Sequence, residues 1–274
     1  MVSVLAHERV ATPGVTPGRW IYMLHGIYGA GRNWGSIARR VVRDLPDWGA
    51  VLVDLREHGE SGGFEGPHTL EAAAADLAAL VEVGPPSTAL LGHSFGGKVA
   101  LVYARRHATR AGLRQLWVVD STPEAGGARG SAWEMLEVLR RLPGPFASRT
   151  AAVEALQAQG IELPVAQWVS SNLAREGESY RWRLDLDVME ELLRDFARTE
   201  AWDAVEDPPP GLVIHFVKAE GSSILTETAA ARIEAAGRAS GRVFLHRVAG
   251  GHWVNAENPE ALLTLLVREL PSVS

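Results

Sequence analysis

The chain of 274 residues contains no cysteine, which excludes disulfides, thiol nucleophiles and thiolate metal sites. It also lacks long apolar runs, and none approaches the ~18 residues of a membrane-spanning helix. Basic and acidic residues are interleaved and the formal net charge is only −6, so no single-sign patch suggests a nucleic-acid partner. Residues 1–10 include His7, Glu8 and Arg9 and have no secretory apolar core. With the missing cysteines, this points to a reducing, cytoplasmic setting. Apolar content of 46% and charged content of 22% are ordinary for a globular protein, and a chain this long needs no disulfide or metal to hold a core.

What is present is an alternation of short apolar runs with helical patterns. Strand candidates fall at 2–10, 20–24, 50–54, 88–92, 115–119, 212–217 and 242–248. Helix candidates fall at 33–45, 69–83, 95–108, 227–239 and 258–270. Asn258 followed by Pro259 marks the start of the last helix. The alternation predicts an α/β fold, a mostly parallel sheet with helices on both faces.

Residues 121–207 break the rhythm. They carry helical patterns near 131–141, 148–159, 164–175 and 187–199, and no convincing strand. Gly126-Gly127 near one end and Pro208-Pro209-Pro210-Gly211 at the other delimit them. The expectation is a helical lid, 121–207, inserted into a core of 1–120 and 208–274. Four of the nine tryptophans, Trp133, Trp168, Trp182 and Trp202, fall in it. They either pack its helices together or line an apolar pocket.

The most informative residues are Gly92-His93-Ser94-Phe95-Gly96. They read G-x-S-x-G between the run Thr88–Leu91 and the helical run from Gly97 to Ala104. In a strand–turn–helix context the serine sits on a tight bend that exposes its hydroxyl, and both glycines avoid collisions with neighbouring chain. Ser94 is therefore the candidate nucleophile. A serine hydroxyl needs a base. Gly250-Gly251-His252-Trp253 lies after the last strand candidate, on the sheet edge that carries the bend, so His252 is the candidate base. His93 should point into the fold, His58 lies in a loop, and His107, His215 and His246 read as structural.

The oxyanion of an acyl-transfer intermediate requires preorganised donors. One is the amide of Phe95. The other comes from His25-Gly26-Ile27-Tyr28-Gly29-Ala30-Gly31, with Ile27 the best candidate. A purely structural glycine turn is the alternative for that loop.

Together His25-Gly26, the Ser94 block with Gly97-Lys98, and Gly251-His252 resemble the α/β-hydrolase superfamily over essentially the whole chain. The block Asp54-Leu55-Arg56-Glu57-His58-Gly59-Glu60-Ser61 resembles its D-x-R-x-x-G-x-S loop, which implies support rather than catalysis for Asp54, Arg56 and Ser61. The finer pattern, with Tyr180–Leu186, is similar to the YbfF-type serine esterases. The chain departs from the superfamily where the acid usually stands. After the strand that follows the lid come Lys218-Ala219-Glu220-Gly221-Ser222-Ser223, without the expected aspartate. Asp120, at the end of the strand after the nucleophile, matches the arrangement that the YbfF-type esterases and some haloalkane dehalogenases resemble. Asp120 is the preferred acid and Glu220 the alternative; a serine or water completing the triad, or an N-cap role for Asp120, also stays open.

The resemblance implies an esterase acting on a small-molecule ester through Ser94, His252 and Asp120, with no cofactor and no metal. Tyr28, Trp133, Met135, Trp168, Trp182 and Trp253 are candidates for an apolar substrate pocket. A carbon–carbon bond hydrolase, a thioesterase or a non-catalytic binding relative would use the same scaffold. A dehalogenase would need an aspartate at position 94.

Overall fold

The computed structural model describes residues 4–127 and 130–272. Its strands are β1 His7–Val10, β2 Arg19–Leu24, β3 Trp48–Val53, β4 Ser87–His93, β5 Gln115–Val119, β6 Leu173–Glu176, β7 Ser179–Trp182, β8 Val213–Ala219 and β9 Val243–Val248. Its helices are α1 Gly35–Asp44, α2 Leu70–Val83, α3 Phe95–Ala111, α4 Ser131–Arg141, α5 Arg149–Ala158, α6 Leu163–Ser170, α7 Leu186–Arg198, α8 Trp202–Glu206, α9 Glu227–Ser240, α10 Val254–Glu257 and α11 Pro259–Glu269. Seven strands form one sheet in the order β1-β3-β2-β4-β5-β8-β9. Within this sheet only β1 runs antiparallel to its neighbour; every other pairing in it is parallel.

The strand sequences explain why helices cover both faces. In β5 all five residues are buried. Successive side chains of a strand point to opposite faces, and here Leu116 and Val118 join one apolar cluster while Trp117 and Val119 join the other. On the first face Leu77 of α2, Val99 and Val102 of α3 and Ile233 of α9 pack against the sheet. On the second face Ile37 and Val41 of α1 meet Leu262 and Leu266 of α11. Parallel strands buried on both sides read as continuous apolar runs, which made them legible in the sequence.

The segment expected to be helical, 121–207, lies between β5 and β8 and contributes α4 to α8. Its Met135, Leu139, Leu192 and Leu193 continue the apolar cluster of the first sheet face, so the insertion and the core share buried surface. One expectation is corrected here. The helical pattern read at 164–175 ends at Ser170, and residues 173–182 form the antiparallel pair β6–β7. Gly177, at φ 62°, makes the tight reversal between Glu176 and Ser179 possible. Phe146 bridges to Tyr180 and extends the pairing. Strand candidate 2–10 is ordered as a strand only from His7; residues 2 and 3 lie outside the described residues. Among the described residues no helix is long and apolar enough to cross a membrane.

Candidate active site

The chain turns sharply at Ser94. Its backbone sits at φ 52°, ψ −116°, between the end of β4 and the first residue of α3. Such a conformation costs a non-glycine residue about 1–3 kcal/mol and persists only when its surroundings hold it. The holding is visible: the Ser94 N–H donates to the Val119 carbonyl of β5 at 2.9 Å. A Cβ on Gly92 would sit 2.1 Å from the Gly96 carbonyl oxygen, and one on Gly96 would sit 2.4 Å from the His25 carbonyl oxygen. Both glycines are thus required by close backbone approach. Ser94 is 9% exposed and borders a cavity of about 460 Å³.

His252 lies in the loop between β9 and α10 and borders the same cavity. Its Nδ1 is 2.7 Å from Asp120 Oδ2. An ionised carboxylate only accepts hydrogen bonds, so in the neutral ring Nδ1 carries the proton and Nε2 keeps its lone pair. Asp120 is fully buried at the end of β5, at φ 41°. Its Oδ1 accepts from the Ala219 N–H at 3.2 Å, so one oxygen is fixed by β8 and the other faces the imidazole. Glu220 is exposed, and among the described residues its side chain makes no hydrogen bond or ion pair. The structure therefore brings Asp120, and not Glu220, to His252.

His93 takes part in a way that its sequence position alone did not reveal. It is buried, as expected, and its Nε2 is 2.8 Å from the His252 carbonyl oxygen. A carbonyl cannot donate, so Nε2 carries the proton and ties the histidine loop to the elbow. The two rings stand 4.9 Å apart.

The loop after β2 is held by two more buried histidines. Leu55 N–H donates to His25 Nε2 at 3.0 Å, which places the ring proton on Nδ1, and Nδ1–H donates to the Gly26 carbonyl at 2.7 Å. The Gly29 N–H reaches the same carbonyl at 2.9 Å. In a planar trans peptide the C=O of Gly26 and the N–H of Ile27 point in opposite directions. Anchoring the one aims the other away from His25. Tyr28, at φ 63°, donates its N–H to His58 Nε2 at 3.3 Å, and His58 Nδ1 donates to the Arg56 carbonyl at 2.8 Å. Asp54 Oδ1 accepts from the Gly31 N–H at 2.7 Å, and Ser61 Oγ donates to the Asp54 carbonyl at 2.8 Å. The Asp54–Ser61 block thus supports this loop. Ile27 and Phe95 both line the cavity, and among the described residues neither amide N–H donates to another group.

Burial keeps these imidazoles neutral. It pushes His25 down to about 4 and His58 and His93 down to about 3, from an ordinary 6.5; nearby His25 adds to the shift of His58 and nearby His252 to that of His93. Between those values and 6.5 the unfolded chain binds more protons than the folded one. Their contribution to stability is therefore complete above about pH 6.5 and is lost as the pH falls towards 4. Denaturant unfolding across this range should show that loss; a stability flat down to about pH 4 would contradict it.

The inserted segment closes the cavity with Trp133 of α4 and Leu193 and Phe196 of α7. Lys98, fully buried on α3, ties α7 to the core. Its ammonium donates to the carbonyls of Glu124 at 2.7 Å, Phe196 at 2.8 Å and Thr199 at 3.2 Å, and burial lowers its pKa to about 8. A second cavity of about 260 Å³ adjoins Ile27 and His252 and is lined by Tyr28, Met135, Trp168 and Trp253. Trp182 borders neither cavity: its indole N–H donates to the Leu142 carbonyl at 2.7 Å and its ring meets Phe146 edge-on. Among the described residues no group of three or more His, Asp or Glu side chains is placed to hold a metal ion.

These features agree with comparisons to known proteins. The sequence model of the Alpha/beta hydrolase family matches residues 21–265. The chain is 27% identical over 261 residues to the sn-1-specific diacylglycerol lipase ABHD11 of Xenopus tropicalis, covering 91% of this chain and 77% of that protein. It is 26% identical over 257 residues to esterase YbfF of Escherichia coli, covering 91% and 92%. A marine microorganism esterase superposes with a TM-score of 0.81 at 24% identity, over 97% of this chain and 98% of that one, which supports the fold. A match over nearly the whole chain, on a sheet of this strand order with a strained serine at the end of β4, leads to one conclusion: the chain belongs to the α/β-hydrolase family.

Proposed function

We propose that the protein is a serine hydrolase that cleaves carboxylic esters through an acyl-enzyme. The observation that carries this reading is the 2.7 Å contact of His252 Nδ1 with buried Asp120, on a ring that shares a cavity with Ser94. Ser94 Oγ attacks the ester carbonyl while His252 Nε2 takes its proton. The N–H groups of Ile27 and Phe95 hold the oxyanion, each worth about 3 kcal/mol of transition-state stabilisation. His252 then gives its proton to the leaving alcohol. Water repeats the sequence on the acyl-enzyme, with His252 again as base, and releases the acid. Asp120 holds the imidazole with Nε2 free and stabilises its charged form.

Residues 121–207 serve as the lid over this site, and the apolar side chains of Trp133, Leu193 and Phe196 favour an apolar acyl group. The relatives named esterase and lipase support the same reaction class. The reading is tested with p-nitrophenyl esters of rising acyl length, together with a fluorophosphonate probe followed by peptide mass spectrometry. Serine-dependent hydrolysis and a covalent adduct on Ser94 are expected. Folded protein that hydrolyses none of the esters and stays unlabelled would remove the reading.

A further inference from the structure

We infer that the smaller cavity is the leaving-group site and that it takes an uncharged alkyl or aryl alcohol. This assignment rests on the ester-hydrolase reading above. The two cavities meet at Ile27, Ser131, Ala132 and His252, but only the larger is lined by Ser94 and Phe95. In the tetrahedral intermediate the carbon carries Ser94 Oγ, the oxyanion, the acyl chain and the alcohol oxygen. The carbon–oxygen bond to the alcohol breaks as a proton passes from His252 Nε2 to that oxygen, and a general acid must lie within hydrogen-bond reach of the atom it protonates. The alcohol therefore departs on the imidazole side. The cavity that opens from His252 without reaching Ser94 is the smaller one, which leaves the larger for the acyl chain.

The walls of the smaller cavity define what it accepts. Trp168 of α6 and Trp253 of the histidine loop meet there with ring centroids 4.3 Å apart, and Met135 and Val165 complete an apolar surface. The Tyr28 hydroxyl donates to the Ala132 carbonyl at 2.8 Å, so its proton is not available to a substrate. Among the described residues no lysine or arginine lines the cavity. Glu134 and Glu162 do line it, both exposed, and neither forms an ion pair among the described residues. Among the described residues a negative charge on the leaving group would meet two carboxylates without ion-pair partners and no cation. Like-charge repulsion of this kind disfavours phosphorylated alcohols and nucleotide-type thiols, and salt weakens it.

The test holds the acyl group constant. Ethyl, benzyl and 4-carboxybenzyl butyrate are compared by kcat/KM in the native enzyme and in Trp168→Ala, Val165→Phe and the double variant Glu134→Gln/Glu162→Gln. Native enzyme should prefer benzyl over ethyl, and Trp168→Ala or Val165→Phe should reduce that ratio by about tenfold, the scale of one lost apolar contact set. The double glutamine variant should raise kcat/KM for the carboxybenzyl ester at least about threefold relative to the benzyl ester, with the gain shrinking at high salt. The butyryl-enzyme should break down at one rate whichever alcohol formed it, because the alcohol has already left. An active enzyme whose benzyl-to-ethyl ratio is unmoved in both wall variants, or in which those variants shift acyl-length preference instead, overturns the assignment. Loss of the parent reading looks different: no ester is hydrolysed by native protein and Ser94 takes no fluorophosphonate.

Discussion

Ser94→Ala is expected to lower kcat for p-nitrophenyl esters by about 10⁵–10⁶, and His252→Ala by a similar factor. The two losses should not add. Without the hydroxyl the imidazole has nothing to deprotonate, and without the imidazole the hydroxyl, with its high pKa, is a poor nucleophile. The double variant should therefore be no slower than either single one, with residual catalysis from the oxyanion donors and binding alone. Ser94→Ala removes one atom at a cavity wall, so its thermal unfolding should change little and its inactivity would not reflect misfolding; His252→Ala leaves the buried Asp120 carboxylate without its partner and should lower the unfolding temperature, so its turnover is measured below that transition. Active-site titration of the native enzyme fixes the concentration on which these factors are measured. A Ser94→Ala enzyme within tenfold of native turnover would exclude Ser94 as nucleophile.

Asp120→Asn should lower kcat by about 10⁴ while preserving the fold. Asparagine is isosteric, and its carbonyl oxygen can keep the hydrogen bond from the Ala219 N–H. Its NH₂ then faces His252 Nδ1. A donor opposite Nδ1 forces that nitrogen to accept, which moves the ring proton to Nε2, where it blocks uptake of the serine proton. The substitution thus traps the imidazole in the wrong tautomer without moving it. Glu220→Gln should stay within about twofold of native, the range for a surface substitution without partners. The reverse ranking, an unaffected Asp120→Asn and a disabled Glu220→Gln, would transfer the acid's role to Glu220 and require the loop after β8 to rearrange on substrate binding.

Much of this arrangement was legible because its parts are local. A G-x-S-x-G run flanked by a strand pattern and a helix pattern marks its own bend; Gly92 is demanded by the backbone of Gly96 within that run, whereas the backbone that demands Gly96 comes from His25 in the loop after β2. The β6–β7 hairpin was not legible. Its strands are four residues each, and its outer positions, Arg175, Glu176 and Arg181, are exposed, so they carry little apolar alternation. Gly177 was the one available signal. The pocket tryptophans were equally ambiguous: Trp133, Trp168 and Trp253 line cavities, whereas Trp182 packs within the inserted segment, and composition treats all four alike.

The sequence by itself determined the parallel sheet, the strained serine and the position of the histidine loop, because each leaves its pattern within one continuous stretch of residues: apolar runs alternating with helical ones, G-x-S-x-G between a strand and a helix, and a double glycine before His252. Tertiary structure alone decided which carboxylate meets His252. Asp120 and His252 are 132 residues apart, and their contact depends on β5 lying between β4 and β8 in the sheet. The same is true of the buried histidines: His93 reaches the His252 carbonyl across 159 residues, and His25 and His58 clamp two loops that are distant in sequence. Strand order and register set these distances, and neither is encoded in the residues at the site.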